Sequence, residues 1–256
     1  MLRPAFTIAR YTCLEAAHAR LPRLVLLILL TAFAGSLFLG EVAITESARI
    51  RTAFLAAALR PAGVFVLSLF VIASLVREFN EKGQELVLSL DLPRASYVLG
   101  KLAGFAAIAV PLAAALCLPL AALAPVGQVA LWGASLLCEL WIMAALSLFC
   151  VLAFSQTMPA VGFAAAFYLL ARSIAAIRLI GHSETMNADS PVQQLAVNTV
   201  DAIATLLPQL DSYTQTAWLV DHSGTWQQLL PIAAQTFIFM GLLASGALFD
   251  LYRRNL

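Results

Sequence analysis

Charge is scarce in this chain. Of its 256 residues, 11% are aspartate, glutamate, lysine or arginine, against 62% hydrophobic. Soluble domains carry about 25% charge and about 45–50% apolar residues, so an ordinary water-exposed globule is excluded. Cysteine is scarce too: Cys117, Cys138 and Cys150 sit inside apolar runs, Cys13 lies near the N-terminus, and no CxxC pair occurs. That argues against a disulfide framework or a zinc site. Of three histidines, His182 and His222 stand far apart in one loop and read as plain loop residues, while His18 sits among basic neighbours. No GxxxxGK[ST] loop is present, because Gly100-Lys101 lacks both the upstream glycine and a following Ser or Thr; ATP hydrolysis by that route is excluded. There is no nucleophile triad and no pair of carboxylates spaced for acid–base work. A net charge of +1 provides no overall field to draw nucleic acid.

Long apolar runs fill the space that these absences leave. About 20 residues cross a hydrocarbon core of roughly 30 Å. Six such runs are present, at 24–40, 53–76, 99–124, 129–154, 159–180 and 229–251. They predict an all-α integral membrane protein, with residues 1–256 as a single transmembrane domain. The first run starts only after some twenty residues and no small-residue cleavage site follows it, so a cleaved signal peptide is not expected. Residues 1–21 read as a short interfacial helix, with Ala5, Ala9, Cys13 and Ala16 on one face and Arg3, Thr7, Arg10 and His18 on another. Pro111 and Pro119 fall inside the third run, where they predict kinks. In the long loop 181–228, Leu195, Val200, Ile203 and Leu207 recur at helical spacing and predict an amphipathic helix on the membrane face, stopped by Pro208.

The few charges are unevenly placed. Arg3, Arg10, Arg20, Arg23, Arg77, Lys82, Arg94, Lys101, Arg253 and Arg254 fall on one side of the predicted spans. Arg49 and Arg51 fall on the other, with Arg60 slightly inside the second span, and loop 181–228 has five acidic residues and no Lys or Arg. Basic residues flank spans on the cytoplasmic side. Both termini and residues 77–98 are therefore expected in the cytoplasm and the acidic loop outside. Trp132, Trp218 and Trp226 fall near span boundaries, as in an aromatic belt. Ala103, Gly104, Ala107 and Ala113–Ala115 give the third span a small-residue face for close packing.

Residues 77–101 read REFNEKGQELVLSLDLPRASYVLGK. The segment is tied at both ends to spans, a position from which motion can pass between a soluble partner and the membrane. Its order is Glu78, Glu81, Lys82, Gly83 and Glu85, then Leu86–Leu90, then Pro93, Arg94, Tyr97, Gly100 and Lys101. This pattern resembles the cytoplasmic loop of the six-span type-2 ABC exporter permeases, a family that often has its proline three residues before the arginine, where this chain has Asp91. The N-terminal basic helix, the span count, the long outer loop and the basic C-terminal end extend the likeness in layout. The resemblance implies a permease in the bacterial inner membrane that pairs with a second permease subunit, as a homodimer in the first place, with a heterodimer left open. It further implies a separate cytoplasmic ABC ATPase that carries ATP and Mg²⁺, with no cofactor on this chain and no catalysis by it alone. Glu78, Glu81, Lys82, Gly83, Glu85, Arg94, Tyr97 and Lys101 are the implied ATPase-coupling residues, with the opposite charges of Glu78, Glu81, Glu85 and Arg94 suited to docking.

Two charges lie deep in the spans. Glu139 is near the middle of the fourth and Arg172 beyond the middle of the fifth. A charge at the bilayer centre costs roughly 2.5–3.5 kcal/mol, so such groups face the protein interior and find partners. A Glu139–Arg172 pair is expected, either locking the two spans or lining a substrate path. Arg60 and Arg178 lie nearer the outer interface and are expected to snorkel. An ion-coupled secondary transporter and a membrane assembly or maturation factor are the alternative functions; the first predicts inverted repeats, and none is evident.

Overall fold

The computed structural model describes residues 2–42, 46–81, 94–181 and 191–253. Among them the helices are α1 (Leu2–His18), α2 (Leu21–Val42), α3 (Ser47–Asn80), α4 (Arg94–Ala121), α5 (Val126–Phe154), α6 (Thr157–Gly181), α7 (Pro191–Leu206), the short α8 (Thr216–Val220) and α9 (Leu229–Arg253). Six of them, α2 to α6 and α9, are long and apolar enough to cross a membrane. The chain is an all-α membrane protein. Each predicted span lies within one of these helices apart from the end of the third, where the chain leaves α4 at Ala121. The largest extension is α3, whose 34 residues make about 51 Å of helix, more than the hydrocarbon thickness. Helix α4 runs unbroken through Pro111 and Pro119. Left-handed Ser155 ends α5, and α6 begins two residues later.

Helix α5 is the axis of the bundle and the most buried of the six, while α2 and α9 are the least buried. It packs against α3, α4, α6 and α9. Its sequence explains this place: Ile142, Met143, Ala144, Ala145, Leu146, Ser147 and Leu148 are seven successive residues, almost two turns, and all are buried, so every side of the helix meets protein. Helix α2 lies mainly against α3, and its Leu26, Leu27, Leu30 and Phe38 face outward, as residues in contact with hydrocarbon do.

Three sequence expectations shift. Trp132 and Trp218 are buried and only Trp226 is exposed, so two of the three expected belt tryptophans belong to the core. They lie where the loop after α7 folds back over α5, and Gly224 permits that approach: a Cβ there would stand 2.4 Å from Leu131 and 2.9 Å from Trp218. The close contact of α4 uses Gly100 and Gly104, with Ala103 and Ala107 turned outward. Arg60 does not snorkel; it is 8% exposed and points into the protein.

Candidate functional site

Helix α1 packs along the start of α4 on the expected face. Ala5, Ala9 and Thr12 meet Gly100 and Gly104, and a Cβ on either glycine would lie within 3 Å of an α1 atom. Four-residue spacing of the glycines puts both on one stripe, where absent side chains let two backbones approach. The Cys13 thiol points at the Gly104 carbonyl, 3.7 Å away. Glu15 ties the same helix to α3: Arg77 donates to its carboxylate, and the Ser74 hydroxyl donates at 2.8 Å. Between α3 and α4, the Lys101 ammonium stands 2.5 Å from the Glu78 carboxylate, with both side chains largely buried. These contacts join α1, the end of α3 and the start of α4 into one three-helix junction.

The predicted coupling residues therefore divide. Glu78 and Lys101 pair with each other and Tyr97 is buried, so the three build the junction. The reason is their place on the helices: Glu78 is in the last turn of α3 and Lys101 in the second turn of α4, where the two helices converge. Glu81 is exposed at the end of α3. Lys82, Gly83 and Glu85 lie outside the described residues; Arg94 opens α4, and its side chain lies outside them too.

The second centre lies deeper in the bundle, on the side away from the junction. After α7 the chain turns inward over 207–215 and places Thr214 in full burial, with a left-handed φ of 46°. Polar side chains of the spans hold this turn. The Thr214 amide donates to Ser135 Oγ at 3.0 Å, and its hydroxyl donates to Glu139 Oε2 at 3.0 Å. Arg60 donates to the Thr214 carbonyl at 2.7 Å. Arg172 donates to the carbonyls of Leu210 and, at 3.2 Å, Tyr213. The Tyr213 hydroxyl reaches the Ile232 carbonyl and the Thr236 hydroxyl of α9, each at 3.1 Å. A buried turn must satisfy its own peptide groups, and these side chains hold four of them.

Glu139 and Arg172 are thus brought to one centre without pairing. The cation that acts on Glu139 is Arg60, with Tyr168 beside the same carboxylate. Arg172 is taken up by loop carbonyls, which lie between α6 and the place where Glu139 sits. Sequence reasoning missed Ser135, Tyr168, Tyr213 and Thr214 because ordinary hydroxyl residues carry no motif; Arg60 had a signal, a cation inside an apolar run. At this centre, among the described residues, Arg60 Nε and Asp211 Oδ1 are buried without a hydrogen-bond partner. Arg60, Tyr168, Arg172, Asp211 and Thr216 border a cleft of about 620 Å³. Among the described residues no group of three His, Cys, Asp or Glu is placed to hold a metal ion. Farther out, Arg178 Nε donates to Asp201 of α7 at 2.8 Å, which fixes the amphipathic helix to α6. Comparison of the chain with protein-family models and with curated proteins found no match.

Proposed function

We propose that this chain is the membrane-spanning permease subunit of an ATP-driven ABC exporter. On this reading a cytoplasmic ATPase docks on segment 82–93 and the exposed end of α3, a second permease subunit completes the transporter, and both termini are cytoplasmic in a bacterial inner membrane. The observation that carries the proposal is the three-helix junction. It fastens both ends of the charged segment to α1, α3 and α4, so a displacement applied there moves three helices together. The inward turn at Thr214 closes the far end of the bundle over polar groups, the place where an exported substrate leaves. ATP and Mg²⁺ belong to the partner, in keeping with the missing phosphate-binding loop.

Co-purification tests the proposal. The tagged chain is expressed with the ATPase encoded beside it and extracted in detergent. The two are expected to leave together, and Glu81→Lys with Glu85→Lys is expected to separate them. No association with or without nucleotide rejects the exporter reading. One observation favours a second reading, ion-coupled transport: Glu139 is a fully buried carboxyl deep inside a span. Proton uptake by proteoliposomes that contain this chain alone, lost in Glu139→Gln, would establish that alternative.

A further inference from the structure

The elbow between α1 and α2 stands away from α3 and leaves a cleft of about 580 Å³. Its mouth is polar, with Glu15, His18, Arg20 and Arg77; its walls are Leu24 of α2 and Val66, Leu69 and Phe70 of α3. From Arg77 down to Val66 the cleft follows about 16 Å of helix into the apolar zone. Leu24 and Leu69 are each about half exposed, at 49% and 48%. The cleft is therefore charged at one end, apolar along its length and open at the side.

The charges at the mouth do not cancel. Glu15 is already engaged by Arg77 and Ser74. His18 donates Nδ1–H to the Leu14 carbonyl at 2.9 Å, because a carbonyl only accepts, and so Nε2 is left without the proton in the neutral ring. Arg20 is exposed, and among the described residues no carboxylate pairs with it or with Arg23 in the next turn. A second cleft, of about 530 Å³ on the α4 side of the elbow, has walls of Val25, Leu29, Ile108 and Pro111 and no charged residue. An amphiphile with a negative head is served by the first cleft and not by the second.

We propose that the α1–α2 elbow and α3 form a binding site for one anionic phospholipid, with the phosphate on Arg20 and one acyl chain along Leu24, Leu69 and Phe70. Basic pockets between spanning helices collect anionic headgroups in this way. The inference needs only the membrane fold and the cleft, and holds whether or not the chain is an exporter.

Native mass spectrometry of the delipidated full chain in detergent tests it, with phosphatidylglycerol and phosphatidylcholine added at equal concentration. Wild type is expected to retain phosphatidylglycerol preferentially. Arg20→Gln is expected to lower that preference about fivefold, the worth of one basic residue near an anionic lipid. Arg20→Lys is expected to keep it, and Arg23→Gln, outside the cleft, to change it less than Arg20→Gln. Leu69→Trp, which fills the cleft, is expected to reduce bound phospholipid. An unchanged preference in Arg20→Gln overturns the site, as does full retention of lipid in Leu69→Trp. Equal competition by glycerol 3-phosphate would mean a phosphate site and overturn the lipid assignment. A shift of Leu69→Trp from dimer to monomer with lipid binding intact would assign the cleft to a second copy and also overturn it.

Discussion

Thr214 holds a backbone conformation that a β-branched residue adopts at a cost of about 1–3 kcal/mol, and it does so in full burial. Its amide, hydroxyl and carbonyl each have a partner from a spanning helix, and together these offset the strain. Thr214→Val keeps the shape and the strain and removes the donor to Glu139. It is expected to cost about 1–3 kcal/mol, seen as a lower unfolding temperature in detergent. Thr214→Ser keeps the hydroxyl and is expected within about 1 kcal/mol of wild type; equal losses in both variants would show that shape rather than the bond matters. Charge coupling at the same centre has a separate test. Arg60→Met and Glu139→Gln are expected to be non-additive by at least about 1 kcal/mol, because the two charges face one another. Arg172→Met and Glu139→Gln are expected to add within about 0.5 kcal/mol, because Arg172 spends its donors on carbonyls. The opposite result would restore the pair that the sequence predicts. Sequence could place Glu139, Arg60 and Arg172 at depth, since a charge in an apolar run is visible. It could not choose among partners, because that choice depends on how far the 207–215 turn dips between the helices.

Helices were the most legible level. An apolar run of some twenty residues has few other fates, and the α1 face of Ala5, Ala9, Cys13 and Ala16 was set by spacing alone. What packs on that face was not legible, since a stripe of small residues fits any smooth neighbour. The partner is the Gly100–Gly104 stripe, and Cys13 reports on it. Burial pushes the Cys13 thiol above its ordinary range. A raised thiol forms less thiolate at a given pH, so maleimide labelling of Cys13 is expected to lag an exposed cysteine near neutral pH and approach it only as the solution becomes alkaline. Gly104→Leu places a side chain where Thr12 lies and is expected to cost about 1–3 kcal/mol. It is also expected to raise Cys13 labelling at neutral pH as α1 moves off α4. Slow labelling in that variant would mean that α1 is held by Glu15 and Arg77 rather than by the glycine stripe.

At the scale of the whole molecule, the two polar centres lie apart along the bundle, the junction at one end and the Thr214 turn reaching in from the other. The junction lies where basic residues gather, and the Thr214 turn lies beneath the acidic loop. Contacts such as Arg49 with Asp221, and Gln128 with the Gly224 carbonyl at 3.1 Å, bring the starts of α3 and α5 to the acidic end. The structure thus relates the ends to one another, while their assignment to cytoplasm and exterior rests on the basic residues. Single cysteines at exposed positions decide that assignment. Ser223→Cys is at the acidic end and Asn80→Cys at the basic end, both exposed. The background is low, since Cys138 and Cys150 are buried and Cys13 and Cys117 are partly so. In intact cells a membrane-impermeant maleimide is expected to label Ser223→Cys, and to label Asn80→Cys only after permeabilisation. The reverse pattern would put segment 82–93 outside the cell, where no ATP-driven subunit could act on it, and the exporter reading would fall while the fold and both polar centres remained.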